Sequence, residues 1–130
     1  MKTKIFCDSA DIKTIKEFNN KALVKGFTTN PSLMRKAGAK DYKNYSLKLL
    51  SVCKKKPISL EVFADKFDEM IRQANIINSW GKNVYVKIPV VNSKGLFSGA
   101  VINKLSNKGI KLNITAVYAV AQVRKIIKNL

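Results

Sequence analysis

The sequence predicts an α/β fold of repeated strand–helix units, and three observations predict it. Short β-branched runs recur along the chain, amphipathic helical stretches separate them, and the repeat is roughly 25 residues. Polar residues close most of the strands. Repeated βα units imply a parallel sheet joined by right-handed crossovers. Such a sheet is either open and doubly wound or part of a (β/α)₈ barrel.

Taken in order, the first strand is read at Lys4–Asp8, followed by a helix at Asp11–Asn19 with Ile12, Ile15 and Phe18 on one side. The second strand, Lys25–Thr28, runs into Thr29-Asn30-Pro31, where Asn-Pro starts a turn. A helix at Asp41–Lys54 carries Tyr45, Leu49 and Val52, and a third strand follows at Ile58–Val62. The helix Lys66–Ser79 places Phe67, Met70, Ile71, Ala74 and Ile77 on one stripe. Asp65 is positioned to cap it, with Asp68 and Glu69 in the first turn. A fourth strand spans Val84–Ile88, a helix spans Leu96–Asn107, and Gly109 is its stop signal. The fifth strand, Lys111–Thr115, leads into a closing helix at Ala116–Asn129. A single domain over residues 1–130 is expected.

Charge raises a different possibility. The formal net charge is +17, from 25 Lys+Arg against 8 Asp+Glu, which on its own invites a polyanion. Only Arg35, Arg72 and Arg124 are arginines, whereas base readout and phosphate forks favour arginine. The lysines are spread along polar helix faces and loops, and Lys54-Lys55-Lys56 is the only run. No nucleic-acid partner is therefore expected. Cys7 and Cys53 lack metal-ligand spacing and the chain has no histidine, so a zinc site is not expected and the thiols are read as reduced. The stretch Met1–Asp8 lacks the apolar core of a signal peptide, and no run is long enough to span a bilayer. A cytoplasmic protein without a membrane partner is the expectation.

The most telling segment is Val84-Tyr85-Val86-Lys87-Ile88-Pro89-Val90. This run reads as a strand buried on both faces, with a lysine inside it. A desolvated lysine loses proton affinity, and a neutral amine attacks carbonyls to form a Schiff base. The alternative is a lysine that snorkels to water at a strand end. The other strand-end residues are Asp8, Thr28, Thr29, Asn30, Glu61, Asn113 and Thr115. Each has a plainer reading too: Asp8 as a helix cap, Asn30 as a turn residue, Glu61 as a charge facing water, Asn113 and Thr115 as a solvated strand face. Tyr85 and Tyr118 are read as packing residues. In a barrel, catalytic groups come from the C-terminal ends of several strands, which is where these polar residues fall. No G-x-G-x-x-G or G-K-[ST] signature follows any strand, which argues against a nucleotide site.

Five blocks carry a resemblance. Phe6-Cys7-Asp8-Ser9-Ala10, Gly26-Phe27-Thr28-Thr29-Asn30-Pro31-Ser32, Ser59-Leu60-Glu61-Val62, Val86-Lys87-Ile88-Pro89 and Asn113-Ile114-Thr115-Ala116-Val117-Tyr118 stand in the order and spacing of the transaldolase family. The chain resembles its small-subunit branch, which includes fructose-6-phosphate aldolase. The resemblance implies a TIM barrel, of which this chain supplies about the first five of eight units. It implies a transaldolase of the pentose phosphate pathway, acting on sugar phosphates without a cofactor or metal. Lys87 matches the Schiff-base lysine. Asp8 matches the carboxylate that exchanges a proton with the substrate hydroxyl, and Glu61 with Thr115 the pair that holds a water. Asn30 and Asn113 match the amides that orient the dihydroxyacetone part, and Thr28 and Thr29 join the substrate-binding set.

The chain departs from the family pattern in places. Val90-Val91-Asn92-Ser93 stands where the family often carries a threonine. Glu61 resembles the transaldolase branch, whereas Thr115-Ala116-Val117-Tyr118 with Ala121-Gln122 resembles the aldolase branch. Barrels of this kind take about 200 residues or more, so three further units and the phosphate-gripping serine and arginine are expected beyond these 130 residues. Weak turnover, or none, is expected of this length alone, and a homo-oligomer is expected at full length. Two alternatives stand beside transaldolase: an aldolase that releases dihydroxyacetone, and a non-catalytic basic fragment that binds polyanions or another subunit.

Overall fold

Five parallel strands alternate with helices in the structure, a computed structural model that describes residues 3–130. The order is β1 (Ile5–Asp8), α1 (Ile12–Asn19), β2 (Val24–Thr28), α2 (Pro31–Lys36), α3 (Tyr42–Val52), β3 (Ile58–Glu61), α4 (Phe67–Asn78), β4 (Val84–Pro89), α5 (Gly99–Asn107), β5 (Leu112–Thr115) and α6 (Val120–Ile127). These are the parallel β/α units of a partial TIM-barrel fold. The chain divides into two compact units, Met1–Glu61 with Trp80–Val84, and Val62–Ser79 with Tyr85–Leu130.

In the first unit the strands lie in the order β1-β2-β3. The β1–β2 register shifts between Ile5 and Phe6, so that Phe6 stands opposite Gly26 and Asp8 opposite Thr28. Gly26 is required there: a Cβ on it would sit 2.5 Å from the Phe6 ring and 2.8 Å from Pro57. Phe27, Ile58, Leu60, Ile15, Met34 and Leu49 are fully buried and form the core between sheet and helices. Helix α1 is capped by Asp11, whose carboxylate accepts from Thr14 N at 2.8 Å, so Asp8 is not needed as a cap.

Helix α2 is not evident from the sequence, because Asn30-Pro31 reads equally as a turn. Here Asn30 is its N-cap and Pro31 its first residue, where a missing N–H does no harm. Asn30→Ala is expected to destabilise the fold by about 1 kcal/mol, visible as a lower urea midpoint. Helix α3 stops at Val52, short of the expected Lys54. The Asn83 side-chain amide takes the carbonyls of Cys53 (2.7 Å) and Lys56 (2.9 Å), which draws the chain off its helical path.

In the second unit β4 pairs with β5, Lys87 opposite Asn113 and Pro89 opposite Thr115. The fourth strand is not buried on both faces, although its apolar run predicts that. Val84, Val86 and Ile88 are buried, while Tyr85, Lys87 and Pro89 are half-buried. The buried face continues into Val90, which packs with Ile102 and Ile126 beneath Leu112, Ile114 and Phe97.

Three boundaries in this unit differ from expectation, and each time side chains redirect the backbone. Asp65 does not cap α4; its carboxylate accepts from Ser93 N (2.6 Å) and Ser93 Oγ (2.8 Å). Helix α5 begins at Gly99, because Asn92 Oδ1 takes the amides of Lys94 and Leu96 and Phe97 bridges to Val91. Helix α6 begins at Val120, with Gln122 Oε1 accepting from the amides of Tyr118 and Ala119. Ala116 takes a left-handed φ of 58° on the way, a conformation that is unfavourable for a residue with a Cβ. Tyr118 is 92% exposed and packs against little, contrary to its reading as a packing residue. Gly109 does end α5, with a φ of +73° and its amide on Ser106 O.

The Asp65–Ser93 tie has a defined pH dependence. The Ser93 amide, and then its hydroxyl, hold the Asp65 carboxyl below the usual carboxylate range. Since the folded value is depressed, the tie contributes fully above the unfolded carboxylate pKa of about 3.9 and is lost as pH falls through the folded value. The Ser93 amide proton shift is therefore expected to titrate together with the Asp65 carboxyl below about pH 4. Asp65→Asn should abolish that titration.

Candidate active site

Parallel pairing puts register partners, and residues two apart along a strand, on the same face of a sheet. In the first unit that rule places Asp8, Thr28, Ser59 and Glu61 on one face. The structure joins Asp8 and Thr28 directly, the Thr28 hydroxyl donating to Asp8 Oδ1 at 2.8 Å. Asp8 is exposed, so this is a solvated carboxylate with one oriented oxygen. Beside it Cys7 is held as a thiol, first by partial burial and then by the Asp8 charge, both of which push its pKa up.

Thr29 and Asn30 hold the turn after β2. Thr29 is fully buried, and its amide and hydroxyl both donate to Ser59 O, at 3.2 and 2.8 Å. Thr29 is thus fixed to β3 through Ser59 O, directly beside the Asn30 cap. Asn30 spends its Oδ1 on Leu33 N at 2.8 Å. The cap uses the side chain's acceptor oxygen; its amide nitrogen is the donor end.

Glu61 closes β3 and is half-buried. A residue absent from the sequence-based set holds its backbone. The Tyr42 hydroxyl donates to Glu61 O and accepts from Glu61 N, both at 2.9 Å. Burial pushes the Tyr42 phenol well above its ordinary range, so it stays protonated and can fill both roles. No local signal marks Tyr42, because its partner lies 19 residues along the chain.

In the second unit Lys87 and Asn113 share the half-buried face of the β4–β5 pair with Tyr85, Lys111, Pro89 and Thr115. Lys111 Nζ lies 5.7 Å from the Tyr85 ring centroid, a cation–π contact on the same face. Thr115 O accepts from Val90 N at 2.9 Å, extending the pairing beyond Pro89. Lys87 O accepts from Val62 N at 3.2 Å. The lysine stem thus leaves a strand bonded through its backbone and emerges on the polar side of an otherwise apolar element. An amine, an amide and a hydroxyl along one strand-pair face can bind a carbonyl carbon and its neighbouring hydroxyls.

Comparison with known proteins agrees with the sequence blocks. A family model described as Transaldolase/Fructose-6-phosphate aldolase matches residues 5–130. A probable transaldolase of Herpetosiphon aurantiacus is 35% identical over 119 residues, covering 92% of this chain and 51% of its own length. Probable transaldolases of Dehalococcoides mccartyi and Lactiplantibacillus plantarum are 38% and 40% identical over 119 residues, again covering 92% of this chain and 53% and 52% of theirs. The chain spans about half the length of the curated relatives it matches.

Proposed function

Because the chain belongs to the transaldolase and fructose-6-phosphate aldolase family, we propose that it carries the Schiff-base machinery of a class I transaldolase. In this reading Lys87 Nζ adds to the ketone of a ketose phosphate, and loss of water gives an iminium. Asp8 removes the proton from the hydroxyl on the far side of the bond that breaks. The electron pair of that carbon–carbon bond flows into the iminium, an aldose phosphate leaves, and a three-carbon enamine remains on Lys87. Addition of the enamine to an acceptor aldehyde and hydrolysis of the imine complete the transfer. Glu61 and Thr115 hold the water of imine formation and hydrolysis, while Asn30, Asn113, Thr28 and Thr29 orient the substrate. The iminium does the polarising, so no metal enters this scheme.

The observation that carries the reading is Lys87: one lysine on the half-buried face of a strand whose other face is wholly apolar, paired in register with Asn113. Sugar phosphates are the proposed substrates and the cytoplasm the proposed location; no helix among the described residues is long and apolar enough to cross a membrane. Borohydride reduction in the presence of fructose 6-phosphate should leave a covalent adduct on Lys87. If the adduct is absent, or lies on another lysine, the proposal is rejected.

The aldolase reading differs only in the fate of the enamine, and the Thr115-Ala116-Val117-Tyr118 block favours it by resemblance. Assaying free dihydroxyacetone with and without an acceptor aldehyde separates the two. Release without an acceptor marks an aldolase; release only as transferred product marks a transaldolase.

A further inference from the structure

Glu61 closes β3, and a side chain from outside the sheet bonds its backbone. Along a parallel strand, alternate residues turn their N–H and C=O to opposite neighbours. Ile58 N donates to Asn83 O on one side of β3, and Ser59 O accepts from Thr29 N on the other, the β2 side. Glu61, two residues on, also turns towards β2. By then β2 has ended at Thr28, and the chain has entered the Asn30 cap of α2. Pro31, the next residue along, has no N–H to offer. The register of β2 with β3 runs to Thr28 opposite Ser59.

A single phenol meets Glu61 there. The Tyr42 hydroxyl bonds both the N–H and the C=O of Glu61 at 2.9 Å, as donor to one and acceptor from the other. Its ring is set by Asp41, which caps α3 immediately before it, and by Trp80, whose ring centroid lies 6.0 Å away at a tilt of 56°. Tyr42 is thus locked by its own helix start and by an aromatic neighbour. A hydroxyl held this way restricts the backbone torsions that aim the Glu61 carboxylate.

We propose that Tyr42 is a positioning residue for Glu61: its hydroxyl bonds both backbone groups of Glu61 and so fixes the direction of the Glu61 carboxylate. The inference rests on the Schiff-base reading for its catalytic consequence, but not for the contact itself. Tyr42→Phe keeps the ring and the Trp80 contact and removes only the hydroxyl.

Two measurements on the Tyr42→Phe protein test this. Hydrogen exchange at the Glu61 amide should speed up at least tenfold while exchange in α1 is unchanged; an unchanged Glu61 amide overturns the proposal whether or not the protein forms an adduct. The rate of borohydride trapping with fructose 6-phosphate should fall about tenfold, without a change in the substrate concentration for half-maximal trapping. In a Glu61→Gln background the same substitution should have little further effect, since the residue it aims is already disabled. An equal loss in both backgrounds shows a general structural role and overturns the inference. If the unsubstituted protein yields no adduct, the Schiff-base reading fails; a faster Glu61 amide in Tyr42→Phe then confines Tyr42 to a structural contact and overturns its catalytic part.

Discussion

Replacing Lys87 by methionine is expected to abolish the borohydride adduct and to lower any transfer activity by about 10⁴-fold or more, with no loss of folded structure. The reasoning is chemical. Every bond change in the proposed route passes through the iminium nitrogen, and no other group in the scheme can act as electron sink. Methionine nearly matches the lysine stem in length, and Lys87 sits on the half-buried face of β4 while Val86 and Ile88 hold the buried one. Loss of the amine should therefore leave packing intact. Asp8→Asn makes the complementary case. Its carboxylate acts after the imine forms, so the adduct should still appear while cleavage falls by about 10²–10⁴-fold. The pair of variants orders the steps: one removes the adduct, the other leaves it and blocks the carbon–carbon cleavage. An adduct that survives Lys87→Met, seen by mass spectrometry of the digested protein, would place the chemistry on another lysine.

How much of the fold and the candidate site is legible in the sequence depends on whether the controlling contact is local. The strands at Ile58–Glu61 and Leu112–Thr115 can be read to within a residue or so, because β-branched runs and their polar endings are local signals. The same endings locate Asp8, Glu61 and Thr115 at strand ends, and Thr28 opposite Asp8 comes from pairing. Contacts decided by distant side chains stay hidden. Asp65 sits one residue ahead of the α4 N-cap and has the right chemistry for a cap, yet Ser93, 28 residues away, claims its carboxylate. Leu96 and Phe97 look like the first turn of a helix until Asn92 takes the amides around them. The short α2 escapes because a cap asparagine followed by proline is written in the same letters as a turn. Tyr42 escapes for the same reason as Asp65: one end of its contact carries no mark of the other. The apolar run of β4 suggests burial on both faces, whereas only alternate residues are buried, and composition cannot distinguish a fully buried strand from one whose second face lines a polar site.

Phe27→Ala is expected to remove about 3–5 kcal/mol of stability, far more than the loss of the Asn30 cap. The ring is fully buried in the middle strand of the β1-β2-β3 sheet, with Cys7 and Ile58 as its register partners and Ile15, Met34 and Leu49 also fully buried in that core. Removing it deletes the transfer free energy of a phenyl group and leaves a cavity that paired strands on both sides cannot close. Its backbone is pinned as well, Phe27 N donating to Pro57 O at 2.8 Å, so the strand has little freedom to collapse inward. Domains of this size are stable by roughly 5–15 kcal/mol, so the loss is a large share of the total. The consequence reaches the site, because Thr28 and Thr29 come directly after Phe27 and hold Asp8 and Ser59. Leu23 is the control: it is 68% exposed, and its alanine variant should change stability by less than about 0.5 kcal/mol. Urea titration decides between them, with a shifted midpoint and unchanged slope expected for Phe27→Ala. A midpoint shift no larger than that of Leu23→Ala would mean that the first unit's core does not depend on this ring, and that something other than Phe27 packing keeps Asp8, Thr28 and Ser59 in register.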